Sequence, residues 1–167
     1  CKVSTLTGFS SSFGFGQADR GQLDATRYVD SLGGSAMLMR ARMLKVTGFL
    51  DPRFFAYWEE TDLCFRGRAQ GFQSLYVPKS KIWHKVSATI QSSVKVYFMT
   101  RNRFLFERKN STRRQFMIFM LCQMSIGLCF DVFIFLKNEK DFKWLKPYLR
   151  GLADGMRSKW TTVESGE

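Results

Sequence analysis

Three carboxylates and one imidazole are the side chains of this sequence best suited to moving a proton. Glu59, Glu60 and Asp62 fall together directly behind Phe54, Phe55, Tyr57 and Trp58. Aromatic walls lower the local dielectric, and repulsion between neighbouring acids raises the proton affinity of one of them. Those conditions suit a general base that works near neutral pH. The same residues also suit a plain helix with an acidic first turn and a Thr61 cap, because the helix dipole favours anions there. His84 is the only histidine. It is either a structural residue after a short strand or a ligand to a metal already held by phosphate oxygens, with Lys81 and Lys85 close in sequence.

The elements around these groups alternate. Thr26 to Asp30 and Ala36 to Met39 read as short strands flanking Gly33-Gly34-Ser35, a glycine pair that lets backbone come close to another surface. Ala41 to Val46 has the propensity of a short helix closed by Gly48, and Asp51-Pro52 turns the chain into the aromatic cluster. Thr61 to Gln70 is helical in pattern and ends at Gly71. Ser74 to Val77 and Lys81 to His84 read as two further strands. Short strands interspersed with short helices indicate an α/β arrangement, too brief for a complete doubly wound sheet. Residues 1 to 24 are rich in Gly, Ser and Phe but hold neither a Walker loop nor GxGxxG, so no phosphate cradle is expected there.

After Ser92 the character changes. Val94 to Arg108 is a basic, aromatic helix, and Phe116 to Leu136 is a long apolar run interrupted by Gln123, Ser125, Gly127 and Asp131. That run is long enough to cross a bilayer. Basic residues flank both its ends, however (Arg113 and Arg114 before, Lys137, Lys140 and Lys143 after), which suits a helix or hairpin lying in the cytoplasmic interface. Interfacial, spanning and buried-core placements all remain open. Phe142 to Lys159 continues as a basic amphipathic helix. Among the 167 residues, 26 Lys and Arg against 14 Asp and Glu give a net charge of +12, which implies anionic company. Nucleic acid is not the expected partner, because the basic residues interleave with long apolar runs and no DNA- or RNA-binding motif is present. The four cysteines lack CxxC spacing, which argues against zinc and against a disulfide framework.

Five blocks, in order, resemble a known family: Gly33-Gly34-Ser35-Ala36-Met37-Leu38-Met39-Arg40; Gly48-Phe49-Leu50-Asp51 with Phe54-Phe55; Glu59-Glu60-Thr61-Asp62-Leu63-Cys64-Phe65-Arg66; Tyr76-Val77-Pro78; and Trp83-His84-Lys85. They look like the C-terminal half of a family 2 glycosyltransferase of the rhamnosyltransferase-like group. The resemblance implies the C-terminal part of a GT-A fold, a nucleotide-diphosphate sugar donor, a glycan or lipid-linked acceptor, a divalent cation (Mn or Mg), and inversion at the anomeric carbon. It places the base that deprotonates the acceptor hydroxyl at Glu60, where the family usually has Asp, with Glu59 and Asp62 as candidates to share the role. It puts Gly33, Gly34 and Ser35 against donor sugar and acceptor, adds Trp58 and Arg66 to the substrate-binding residues, and makes His84 the metal or diphosphate contact.

No Asp-x-Asp occurs in the sequence, whereas the family's metal-binding aspartates lie upstream of the Gly-rich region. The main ligands are therefore expected upstream of Cys1, in a longer enzyme of which this stretch alone is inactive, or else the chain is a degenerate copy. The expected organisation is a GT-A portion over 1–92, membrane-associating helices over 93–160 and a polar tail over 161–167. The expected location is the cytoplasmic face of the cell membrane, held peripherally or by a single or re-entrant helix. The competing reading is a non-catalytic module that docks on anionic lipid through residues 94 to 159.

Overall fold

The computed structural model describes residues 1–84, 92–129, 131–133 and 142–157. It divides into two compact units. The first comprises Cys1–Ser4, Phe9–Phe55 and Glu59–Ala88, the second Thr5–Gly8, Ala56–Trp58 and Thr89–Glu167.

In the first unit, β1 (Lys2–Val3) pairs antiparallel with β2 (Ser10–Ser11), and β3 (Arg27–Val29) pairs antiparallel with β4 (Ser74–Tyr76). Side chains alternate faces along a strand, so Val29 is buried while its neighbour Tyr28 is exposed. At the end of β3, the Asp30 carboxylate accepts the Val3 N–H at 3.0 Å and pairs with Arg68 at 2.9 Å. One short side chain thereby ties two strands to a helix. That helix is α2 (Glu59–Ala69), preceded in sequence by α1 (Ala41–Thr47). Gly48 ends α1 at φ 71°, its N–H returning to the Leu44 carbonyl. Gly71 ends α2 at φ 81°, with the Phe72 N–H on the Gly67 carbonyl and its own N–H on Arg68. This is the Schellman pattern, which needs a residue tolerant of positive φ.

The second unit is helical. α3 (Ser92–Asn110) carries α5 (Leu145–Arg157), which is entered through a single 3₁₀ turn at Phe142–Trp144. Gly151 and Gly155, one turn apart, let the two helices approach closely: a Cβ on Gly151 would lie 2.7 Å from the Tyr97 carbonyl oxygen, and one on Gly155 would lie 2.9 Å from the Phe104 ring. Val96, Phe104, Phe116, Phe119, Trp144, Tyr148 and Leu152 form the core, and each large side chain buried there contributes roughly 1.5–3 kcal/mol. α4 (Arg113–Cys122) begins with a capping box in which Thr112 and Gln115 each accept the other's backbone N–H. A π-helical segment, Gln123–Gly127, follows it.

That segment seats Gln123. Its amide donates to Asp131 at 3.1 Å, the Tyr148 hydroxyl donates to the same carboxylate oxygen at 3.0 Å, and Arg103 pairs with it. Three helical stretches thus converge on Asp131.

Several expectations are corrected. Ala36–Met39 and Lys81–His84 are not strands: neither has a ladder partner among the described residues, and Leu38 and Trp83 stand almost fully exposed. Thr61 does not cap α2, which begins two residues earlier. Within the 116–136 run a π segment follows α4, and Gln123 and Asp131 are bonded to each other. Among the described residues, no helix is long and apolar enough to cross a membrane. Lys85, residues 134–141 and the tail from 158 onward lie outside the described residues.

Candidate active site

The acids sit in the first turn of α2, where unsatisfied N–H groups and the helix dipole favour negative charge. The chain enters that helix through unusual backbone. Phe55, Tyr57 and Trp58 have φ of 63°, 67° and 76°, left-handed values that cost non-glycine residues on the order of 1–3 kcal/mol each and concentrate at functional sites. Within the second unit, the fully buried Asn102 donates from Nδ2 to the carbonyls of Ala56 and Tyr57 at 2.7 and 2.8 Å, satisfying both peptides of the strained turn. Nothing in the local pattern of α3 singles Asn102 out. An uncharged polar residue between Arg101 and Arg103 is the only hint, and sequence reasoning missed it.

Glu60 is half-buried. Its Oε1 accepts the Gly34 N–H at 3.3 Å, and its Oε2 is buried with no protein donor. A Cβ on Gly34 would lie 3.6 Å from that carboxylate, ordinary contact, so glycine is not demanded here by space. One residue on, the Ser35 hydroxyl lies 3.4 Å from His84 Nδ1. The loop at 33–35 therefore brings together, in one unit, a carboxylate, a backbone N–H, a hydroxyl and the lone imidazole. Gly33, Gly34, Ser35 and His84 are all exposed. A hollow of about 240 Å³ lies beside the loop, lined by Ser31, Leu32 and Gly33 together with Arg27 and Tyr76. No acid of α2 lines it.

Glu59 is the second half-buried acid, and its Oε2 also lacks a protein donor. Burial first, then the adjacent Glu60, pushes its carboxyl up to about 7. Asp62 is placed differently. It is completely buried and bonds Arg66 at 2.8 Å, one helical turn on. Arg66 spends its remaining donors on the carbonyls of Thr47 and of Phe49, the latter at 2.8 Å, bracing the end of α1 against α2. In this geometry Asp62 and Arg66 hold the helix rather than face an opening. Trp58 belongs to the second unit, where its buried ring packs 5.0 Å from that of Phe106.

Among the described residues, no three His, Cys, Asp or Glu side chains gather closely enough to hold a metal ion. His84 offers one imidazole with the Ser35 hydroxyl beside it, which is not a cation site by itself. A carboxylate with one oxygen on a backbone N–H and the other buried without a protein donor can take up a proton.

Comparison with known proteins gives the family. The profile of the family described as glycosyltransferase like family 2 matches residues 5–106. Over 138 residues the chain is 27% identical to the low-salt glycan biosynthesis hexosyltransferase Agl10 of Haloferax volcanii, covering 78% of this chain and 43% of that protein. Over 133 residues it is 21% identical to the dTDP-rhamnosyl transferase RfbF of Shigella flexneri, covering 74% and 44%. The chain thus spans less than half the length of these curated relatives. No solved structure matches. Because that profile matches more than half of the chain, the chain belongs to glycosyltransferase family 2, and that membership implies the GT-A fold.

Proposed function

We propose that this chain provides the acceptor-side, base-bearing part of an inverting glycosyltransferase that adds a hexose or rhamnose to a growing polysaccharide or lipid-linked glycan. Glu60 takes the proton from the acceptor hydroxyl. The oxygen so freed forms a bond to the anomeric carbon as the bond from that carbon to the diphosphate oxygen breaks, on the opposite face, and the nucleoside diphosphate departs. Configuration inverts because attack and departure are in line. The observation that carries this reading is the Glu60 carboxylate itself, oriented by the Gly34 N–H through one oxygen while the other has no protein donor.

The remaining residues have supporting roles in this proposal. Ser35 and His84, on the same loop cluster, contact the diphosphate. Glu59, partly protonated near neutrality, avoids placing a second full charge beside the base. Asp62 and Arg66 fix the helix that carries both acids. A divalent cation, Mn or Mg, would neutralise charge on the departing diphosphate, with His84 as a single ligand and the rest supplied from outside these residues. Because the residues here do not complete such a site, no step is assigned to the ion. The second unit, with its exposed apolar and basic side chains, keeps the enzyme on the cytoplasmic face of the cell membrane, where a lipid-linked acceptor would be found.

The test is transfer by the full-length protein from a panel of nucleotide-diphosphate sugars, with the anomeric configuration of the product read by NMR. The expected result is inverted product, nucleoside diphosphate released in step with it, and loss of transfer on chelation that is restored by Mn or Mg. A product of retained configuration would contradict the in-line proposal.

A further inference from the structure

One face of the second unit is left uncovered in a way its core does not explain. On α4 and the π segment after it, Phe116, Phe119, Gln123 and Gly127 face inward and are buried. The opposite side presents Met117, Ile118, Leu121, Met124 and Ile126, each between 41% and 72% exposed. Their spacing of three and four residues puts Met117, Ile118, Leu121 and Met124 on one stripe. Scattered exposed apolar residues are ordinary, but a contiguous stripe marks an interaction surface.

The charges at the head of the helix say what kind. Arg113 and Arg114 open α4 and are exposed, and its first turn has no acid. Cations at a helix N-terminus face the positive end of the dipole, so the local structure disfavours them. Neither arginine has an ion-pair partner among the described residues. Two unpaired guanidinium groups beside an exposed apolar stripe, on a chain of net charge +12, match a surface that is apolar below and anionic at its rim. A second copy of the chain would bring two strongly positive molecules together.

We propose that α4 and the π segment dock on a bilayer containing anionic phospholipid, lying in its plane with Met117, Ile118, Leu121, Met124 and Ile126 entering the acyl boundary and Arg113 and Arg114 on the headgroup phosphates. The inference rests on the membrane part of the function proposed above and specifies which face carries it; the transferase part does not depend on it. The Arg103–Asp131–Gln123 cluster on the inner side has a matching role, since it fixes the rotation of the helix that determines which residues point outward.

Vesicle co-sedimentation of the full-length protein tests this, using phosphatidylcholine alone and phosphatidylcholine with phosphatidylglycerol, with no sugar nucleotide present. The expected result is binding to the anionic vesicles that weakens with salt. Ile118→Glu with Leu121→Glu should reduce it at least tenfold, while the circular dichroism and melting temperature stay as in the wild type. Arg113→Gln with Arg114→Gln should reduce it about 30-fold, the scale expected when two basic residues leave an anionic surface. Undiminished binding by the glutamate pair overturns the assignment of this face and leaves membrane attachment standing. Equal binding to neutral vesicles overturns the role of the arginines. A dimer that the glutamate pair dissolves, without vesicle binding by the wild type, makes a second copy the occupant and overturns both the inference and the membrane reading. Sugar transfer measured on soluble acceptor is unaffected by any of these outcomes.

Discussion

Asp131 in the second unit and the paired glutamates of the first are bonded to very different degrees. In the second, one oxygen of Asp131 receives Arg103, Gln123 and Tyr148 together, the last of them a core residue. In the first, Glu59 and Glu60 each keep an oxygen with no protein donor although both are half-buried. An acid with three donors on one oxygen stabilises a fold. A buried oxygen without a donor raises the energy of the resting state, and such groups concentrate where a proton or ligand is received. Glu107, on α3, shows that the contrast is not simply one of unit. Its Oε1 is also buried with no protein donor and burial pushes its carboxyl up to about 7, while its other oxygen accepts the Ser111 hydroxyl one turn on.

The sharpest way to break the comparison is to remove the saturating cation. Arg103→Leu leaves Asp131 without its charge partner in a mostly buried site, and the expected loss of stability is about 3–5 kcal/mol, read by denaturant unfolding of the second unit's helical signal. A loss below about 1 kcal/mol would mean that Asp131 is solvated and not a hub. Glycines sharpen the contrast next. Gly151→Ala forces a methyl against the Tyr97 carbonyl, at an expected cost of about 1–3 kcal/mol. Gly33→Ala has open space around it and should change stability by less than about 0.5 kcal/mol, so any loss of transfer in that variant reports on substrate rather than fold. Equal destabilisation by the two alanines would erase the distinction between a packing glycine and an open loop.

A further test concerns protons. The folded Glu59 carboxyl titrates near 7, above the usual range for glutamate, so folding favours its protonated form. The stability this contributes is present below about pH 4.5 and is lost as pH rises towards 7. Glu59→Gln should therefore lie level with or below the wild type at pH 5 and gain on it by pH 8, in parallel thermal melts. A constant offset across that range would place the group in solvent.

Much of the first unit is legible locally. The glycines at 48 and 71 stop α1 and α2 where turn chemistry says they should, and the acids of α2 announce its first turn. What was misread depended on partners elsewhere. Residues 36–39 and 81–84 have strand-like composition, but β-propensity expresses itself only against a neighbouring strand, and none lies beside them among the described residues. Gln123 and Asp131 looked like flaws in an apolar run because they bond each other, and because the other partners of Asp131, Arg103 and Tyr148, are 28 and 17 residues away. The capping box of Thr112 and Gln115 was readable from its spacing and was passed over in favour of the apolar stretch behind it. Of the proposed site, the acids and the glycine loop could be picked out by type. That Gly34 reaches Glu60, and Ser35 reaches His84, are contacts across 26 and 49 residues that no period in the sequence encodes.

The central claim is that Glu60, and not its neighbour, takes the proton. In the full-length protein, Glu60→Gln and Glu59→Gln should be compared for the rate of sugar transfer at saturating donor. The account predicts a fall of about 100-fold or more in kcat for Glu60→Gln, with donor binding retained, while Glu59→Gln keeps most of its rate. Full transfer by Glu60→Gln would contradict it.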